Sequence, residues 1–185
     1  MRIIAGAFRG RSLASVGKGD AGAQLRPTTD RVRESLFNVL THQIDFEGLR
    51  VLDLFAGTGA LGLEALSRGA THVTFVDDGP VAQGLIRKNI DLTRSADATG
   101  LIRRDAARLG ENPVAPYDLV FLDPPYGRSL GQKALDAVSG SWLAEDALVV
   151  WEENAPMQAP DGFVVLDLRR YGETYVTLMR RSVSD

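Results

Sequence analysis

The chain has 185 residues, which fits one domain with at most a short appendage at roughly 100–200 residues per domain. Hydrophobic residues make up 44% and charged residues 24%, an ordinary globular balance that excludes long disorder and collagen-like repeats. Cysteine is absent, which excludes disulfides, thiolate-ligated zinc, iron–sulfur clusters and any cysteine nucleophile, and the formal charge of -3 excludes a uniform polycation.

That net charge is unevenly spread. Residues 1–40 carry seven Arg or Lys against three acids, a net of +4, and the remaining residues carry −7. A basic arm on an acidic body points to a localised contact with phosphates. His42 and His72 are far apart and show no metal-ligand spacing, so no metal is expected. The N-terminus has no apolar signal-peptide core, and no apolar run approaches the roughly 18 residues of a membrane span. A soluble, cytoplasmic protein is the expectation.

In chain order, Arg2–Leu13 alternates loosely around Gly6 and Gly10 and predicts a short hairpin. Residues 15–25 are rich in glycine and small residues and predict a mobile loop. Thr28, Thr29 or Asp30 caps a helix whose apolar positions are Val32, Leu36, Phe37, Val39 and Leu40. From Leu49 onward strands and helices alternate. Strands are predicted at 50–55, 72–76, 100–104, 118–122 and 147–151, with helices at 60–68, 81–92 and 130–138. Residues 163–170 and 174–181 flank Tyr171-Gly172-Glu173 as a closing hairpin. Near-continuous apolar strands alternating with helices imply an α/β fold with a mostly parallel sheet buried on both faces, and antiparallel strands at one edge. The expected organisation is a basic hairpin-and-helix extension at 1–45 followed by an α/β domain at 46–185.

The strand at 50–55 runs into Gly57-Thr58-Gly59-Ala60-Leu61-Gly62 as a helix opens, which matches G-x-G-x-x-G in a strand–loop–helix setting. An acid after the second strand, Asp77, is placed to accept hydrogen bonds from ribose hydroxyls. These features alone leave a dinucleotide fold in competition. Asp53, inside the first strand, favours a cationic ligand group such as the amino group of S-adenosylmethionine, because an anion serves a pyrophosphate poorly. The other reading of Asp53 is a carboxylate that caps the loop through backbone N–H groups.

The fourth strand ends in Asp123-Pro124-Pro125-Tyr126 at the carboxyl edge of the sheet, where open α/β folds hold ligands. Two prolines stiffen the turn and remove two N–H donors, so nearby carbonyls remain acceptors. Asp123 adds an acceptor and Tyr126 a face on which a base stacks. This set suits methylation of an exocyclic base amine. Accepting its two N–H bonds localises the nitrogen lone pair, and positioning does much of the rest. No covalent intermediate is required, in keeping with the missing cysteine.

The glycine loop and the Asp-Pro-Pro-Tyr motif resemble class I amino-methyltransferases. RIIAGAFRGRSL at 2–13, RPTTDRVRESLFNVL at 26–40, VLDLFAGTGALGLEALSRGA at 51–70 and FLDPPYG at 121–127 narrow the resemblance to the RsmD family, over most of the chain. The resemblance implies a Rossmann-like, seven-stranded methyltransferase sheet with a small N-terminal hairpin-plus-helix extension. It implies transfer of a methyl group from S-adenosyl-L-methionine to N2 of guanine 966 of 16S rRNA, within the small ribosomal subunit or an assembly intermediate, and so a role in rRNA processing and ribosome biogenesis. By similarity, Asp53, Gly57 and Gly59 hold the methionine part of the cofactor, Phe55 also belongs to the cofactor site, Asp77 or Asp78 holds the ribose, and Asp105 with Ala106 the adenine. Asp123, Pro124, Pro125 and Tyr126 hold the target base, and Arg26, Arg31 and Arg33 approach RNA phosphates. Aspartate stands at 77 where the family usually has glutamate. Tyr171 and Gly172 are candidates for lining the base pocket, and a monomer is expected. Two alternatives differ in kind: a DNA adenine-N6 methyltransferase, for which 185 residues leave little room to read a duplex, and a non-catalytic nucleotide- or RNA-binding module, which leaves Asp123–Tyr126 unexplained.

Overall fold

The computed structural model describes residues 1–16, 28–127 and 129–182. Within them α1 (Asp30–Leu40) precedes a seven-stranded sheet: β1 (Arg50–Leu54), β2 (His72–Val76), β3 (Thr99–Ile102), β4 (Tyr117–Leu122), β5 (Leu143–Glu153), β6 (Phe163–Tyr171) and β7 (Thr174–Arg181). Helix α2 (Ala60–Ser67) joins β1 to β2, α3 (Pro80–Thr93) leads from β2 towards β3, and α4 (Leu130–Val138) joins β4 to β5. The strand order is β3-β2-β1-β4-β5-β7-β6. Strands β1 to β5 pair in parallel, while β7 pairs antiparallel with both β5 and β6. The closing hairpin therefore sits at one edge, as its turn predicted. The strand order reverses at the β1–β4 seam, which places a ligand crevice at the carboxyl ends of those two strands.

Side-chain alternation splits the central strands between two cores. Val51, Val73, Phe75, Leu119, Phe121 and Val150 face one side, against α1, α2 and Ile86. Leu52, Leu54, Val76, Val120, Leu122, Val149 and Trp151 face the other, against α4, Tyr117 and Trp142. Each fully buried side chain of this size contributes about 1.5–3 kcal/mol relative to exposure. Both faces are covered, as the unbroken apolar strands require.

The N-terminal segment pairs as a hairpin through a single antiparallel bridge, Arg2 with Ser12, and through Ile3 N–H to Arg11 O and Leu13 N–H to Met1 O. It forms no strand of the main sheet. Its Ile3 and Leu13 enter the same core as Leu36, Phe37 and Leu40 of α1 and Leu63 of α2. Thr29 is the residue that caps α1, accepting Val32 N–H. The glycine-rich stretch read as a mobile loop lies mostly outside the described residues, as does Arg26.

The structure corrects the reading of Arg33. Its side chain is fully buried, and it donates to Arg2 O and to Asp30 Oδ1 at 3.0 Å. Its Nε lies 3.8 Å from Glu64, whose carboxylate is also fully buried. Glu64 accepts Ile4 N–H, Ala5 N–H and Arg68 Nε–H at 2.8, 3.0 and 2.9 Å. Arg33 thus ties the N-terminal segment and α1 to α2 and is out of reach of phosphate. Removing one partner of such a buried pair typically costs about 3–5 kcal/mol. The reason lies in helical spacing: 33, 36, 37 and 40 form one stripe, and α1 buries that stripe. Arg31, two residues earlier, is exposed.

Candidate active site

β1 ends at Leu54 and the chain turns sharply. Phe55 takes a left-handed conformation at φ 57°, a region that is costly for a residue with a side chain and that persists where its surroundings enforce it. Gly57 and Gly59 follow at φ 60° and 76°, and Gly59 N-caps α2. Gly62 serves closeness instead of rotation. A Cβ there would lie 2.5 Å from the Phe75 ring and 3.0 Å from Asp53 Oδ2. The helix can therefore rest directly on β1 and β2.

Asp53 is 2% exposed, and its Oδ2 accepts the Gly62 N–H at 2.9 Å. The loop-capping reading of this carboxylate is thus realised for one oxygen. Burial pushes its pKa up to about 8, the Gly62 bond opposing and the nearby Asp77 charge adding to the rise. In that setting the ionised form is favoured only when a cationic partner comes beside it. Asp77, at the end of β2, accepts Gly57 N–H through Oδ2 at 3.0 Å and Gly79 N–H through Oδ1 at 2.9 Å. Burial raises its pKa despite both bonds. Asp78 is exposed. Asp77 therefore braces the glycine loop directly. Asp105 follows β3 and caps a short 3-10 turn by accepting Ala107 N–H at 2.9 Å, with Ala106 buried beneath.

Asp123 follows Leu122 on β4, and its N–H reaches Leu54 O at 3.5 Å, so the turn stands beside the end of β1. Burial lifts its carboxyl well above the usual range, and the charges of Glu152, Asp53 and Glu153 lift it further. The Tyr126 hydroxyl donates to Glu152 Oε1 at 3.2 Å and lies 3.1 Å from Thr174 Oγ1. Burial, more than any other cause, pushes the Tyr126 phenol up to about 12.

The fold thus gathers Asp53, the glycine loop and Asp77 with Asp123 and Tyr126 at one carboxyl edge, with Asp105 and Ala106 after β3 on the same side. Tyr171 pairs with Thr174 across the closing turn. Its hydroxyl accepts from Ser35 on α1 at 3.3 Å, and its ring packs on the first core. Glu152 and Thr174 were missing from the sequence reading. A signal for Glu152 existed, because an acid follows each of β2 and β4 and the Glu152-Glu153 pair closes β5 in the same way. For Thr174 no signal existed, since only the β5–β7 pairing brings it there. Among the described residues no group of three or more His, Cys, Asp or Glu could hold a metal ion. No helix among them is long and apolar enough to cross a membrane.

This architecture is that of the class I methyltransferases, a class that draws its methyl group from S-adenosylmethionine. The Escherichia coli yhhF structure superposes with a TM-score of 0.85 at 33% identity, covering 100% of this chain and 99% of that one. A magnesium protoporphyrin IX methyltransferase from Synechocystis, solved with bound SAM, shares the fold at TM-score 0.63 and 19% identity, over 82% of this chain and 79% of that one. A family model described as conserved hypothetical protein 95 matches residues 1–180. The Escherichia coli K12 ribosomal RNA small subunit methyltransferase D is 40% identical over 86% of this chain and 78% of its own length. Its Haemophilus influenzae counterpart is 35% identical over 93% and 89%. The chain belongs to the RsmD family.

Proposed function

We propose that this chain is an S-adenosylmethionine-dependent rRNA methyltransferase whose target is the exocyclic N2 of a guanine in 16S rRNA, guanine 966 by family resemblance. The observation that carries the reading is the joining, at one sheet edge, of a buried cation-seeking carboxylate, Asp53, to a proline-stiffened turn bearing Asp123 and Tyr126. The residues present fit the cofactor. Asp53 suits its amino group, the tight Gly57–Gly59 turn leaves room for close backbone approach, Asp77 suits the ribose, and Asp105 with Ala106 suits the adenine. When bound, the cofactor supplies an electrophilic sulfonium methyl. The protein's part is positional and electrostatic. Asp123 accepts an N–H of the target amine and localises its lone pair. Tyr126 supplies the stacking face, and the rigid turn holds both in register. A base reaches that face only when unstacked. Arg31 is exposed on α1 and suits an RNA phosphate. The small subunit or an assembly intermediate is the proposed substrate particle.

The test is transfer of labelled methyl to naked 16S rRNA, to small subunits lacking the modification and to duplex DNA, followed by digestion to nucleosides. N2-methylguanosine from rRNA or subunits is the expected product. N6-methyladenine from DNA would move the chain to the other amine chemistry the turn supports.

A further inference from the structure

Tyr126 is held from outside its own turn. Its single hydroxyl proton goes to Glu152 Oε1 at 3.2 Å, so the 3.1 Å contact with Thr174 Oγ1 has the threonine donating. The partners lie 26 and 48 residues away, on β5 and β7. Those strands pair antiparallel, Glu152 opposite Val176, so the two partners sit on one rigid unit. Strand register also sets Glu152 beside the turn: Leu122 of β4 pairs with Trp151 of β5, one residue short of Asp123 and Glu152. Pro124 and Pro125 stiffen the backbone end of the tyrosine, and the β5–β7 pair fixes its phenol end. A ring anchored at both ends offers one face in one orientation. Holding the reacting amine within a near-attack geometry is worth orders of magnitude in rate, and small misplacements forfeit much of it.

We propose that Glu152 and Thr174 are positioning residues for methyl transfer, acting through the Tyr126 hydroxyl to fix the ring against which the target base lies. This rests on the reading of Asp123–Tyr126 as the base site. Burial raises the Glu152 pKa, and the bond from Tyr126 opposes that rise, consistent with a carboxylate whose assigned work is to accept this proton.

The experiment uses the full-length protein and small subunits lacking the modification. It measures kcat and KM for subunits, cofactor affinity and Tm for Glu152→Ala, Glu152→Gln, Thr174→Val, Tyr126→Phe and the Tyr126→Phe/Glu152→Ala pair. Loss of one neutral-to-charged hydrogen bond predicts a fall in kcat of roughly ten- to a hundredfold for Glu152→Ala and for Tyr126→Phe, with cofactor affinity and Tm held. Glu152→Gln keeps an acceptor and is expected to restore kcat to within about twofold. Glu152→Ala is expected to cost nothing more once Tyr126 is Phe, because the bond it served is already gone. Additive losses in the double variant would mean that Glu152 touches the substrate itself, and would overturn the proposal. So would a Glu152→Gln as damaging as Glu152→Ala, a Tyr126→Phe with wild-type kcat, or losses that merely track Tm. Failure of the underlying site reading shows separately, as wild-type transfer by Asp123→Ala.

Discussion

On the glycine-loop side of the site, carboxylates are held by backbone amides. Asp53 takes the Gly62 N–H, and Asp77 takes those of Gly57 and Gly79. Every partner lies within 20 residues of its carboxylate. On the Asp-Pro-Pro-Tyr side, two prolines remove amides, and the polar groups meet one another: Tyr126 with Glu152 and Thr174, across 26 and 48 residues. The first half is a local device, a strand, a loop and a helix start. The second is assembled by three strands of one sheet. A local device binds in much the same way wherever it is copied, which suits a ligand shared by a whole class of enzymes. An assembled one varies with the strands that supply it, which suits a target that differs from enzyme to enzyme.

The division can be broken by separating binding from chemistry. Asp123→Ala is expected to cut methyl transfer by about a hundredfold or more, a loss of the size seen when one preorganised transition-state contact is removed. Cofactor affinity, measured by calorimetry, should hold within about twofold. Joint collapse of both would show that the halves are not independent. Asp77→Ala probes the other side. It removes the acceptor for two loop amides and is expected to weaken cofactor binding by roughly tenfold or more, given the cost of leaving such groups unpaired. Asp78→Ala, at the exposed neighbour, should change little in the same titration.

The proposed cofactor role of Asp53 carries a pH signature. Its pKa is raised from 3.8 to about 8, so the free protein holds a proton there through neutral pH. A cation beside the carboxylate favours its ionised form and expels that proton. Cofactor affinity is then expected to rise with pH up to about 8 and to level off above it, with proton release measurable in buffers of different ionisation enthalpy. In the free protein the sign for stability is opposite. A carboxyl with a raised folded-state pKa contributes stability that is full below about 3.8 and lost as pH climbs through about 8. Asp53→Asn should flatten both profiles. A modest effect is expected at Arg31. Arg31→Glu should weaken subunit binding and lower the salt slope by about one to two contacts, with stability unchanged within about 0.5 kcal/mol. An unchanged slope would make Arg31 an ordinary solvated side chain.

Legibility in the sequence follows the same division. The glycine loop, Asp53 and Asp77 could be read because strand, turn and helix signals lie within one short stretch. The Asp-Pro-Pro-Tyr turn could be read because proline geometry is local. Glu152 was half legible, as an acid closing a strand, and Thr174 was not legible, because no local pattern marks a residue that matters only across a pairing. Arg33 was misread by residue type. Arginine in a basic arm looks like an RNA contact, yet its place on the stripe with Leu36, Phe37 and Leu40 already pointed inward.

The amino-acid order alone determined the alternation of strands and helices, the parallel sheet with its antiparallel edge, the glycine loop and the stiff acidic turn. Each of these follows from hydrophobic period, backbone freedom or proline chemistry within a dozen residues. The tertiary structure decided which charges are available and which are consumed. It sank Arg33 against Glu64, left Arg31 in solvent, tied Asp77 to the loop, and brought Glu152 and Thr174 to Tyr126. The physical reason is that a charge's role depends on its burial and its partners. In a sheet ordered β3-β2-β1-β4-β5-β7-β6 those partners come from strands far apart along the chain.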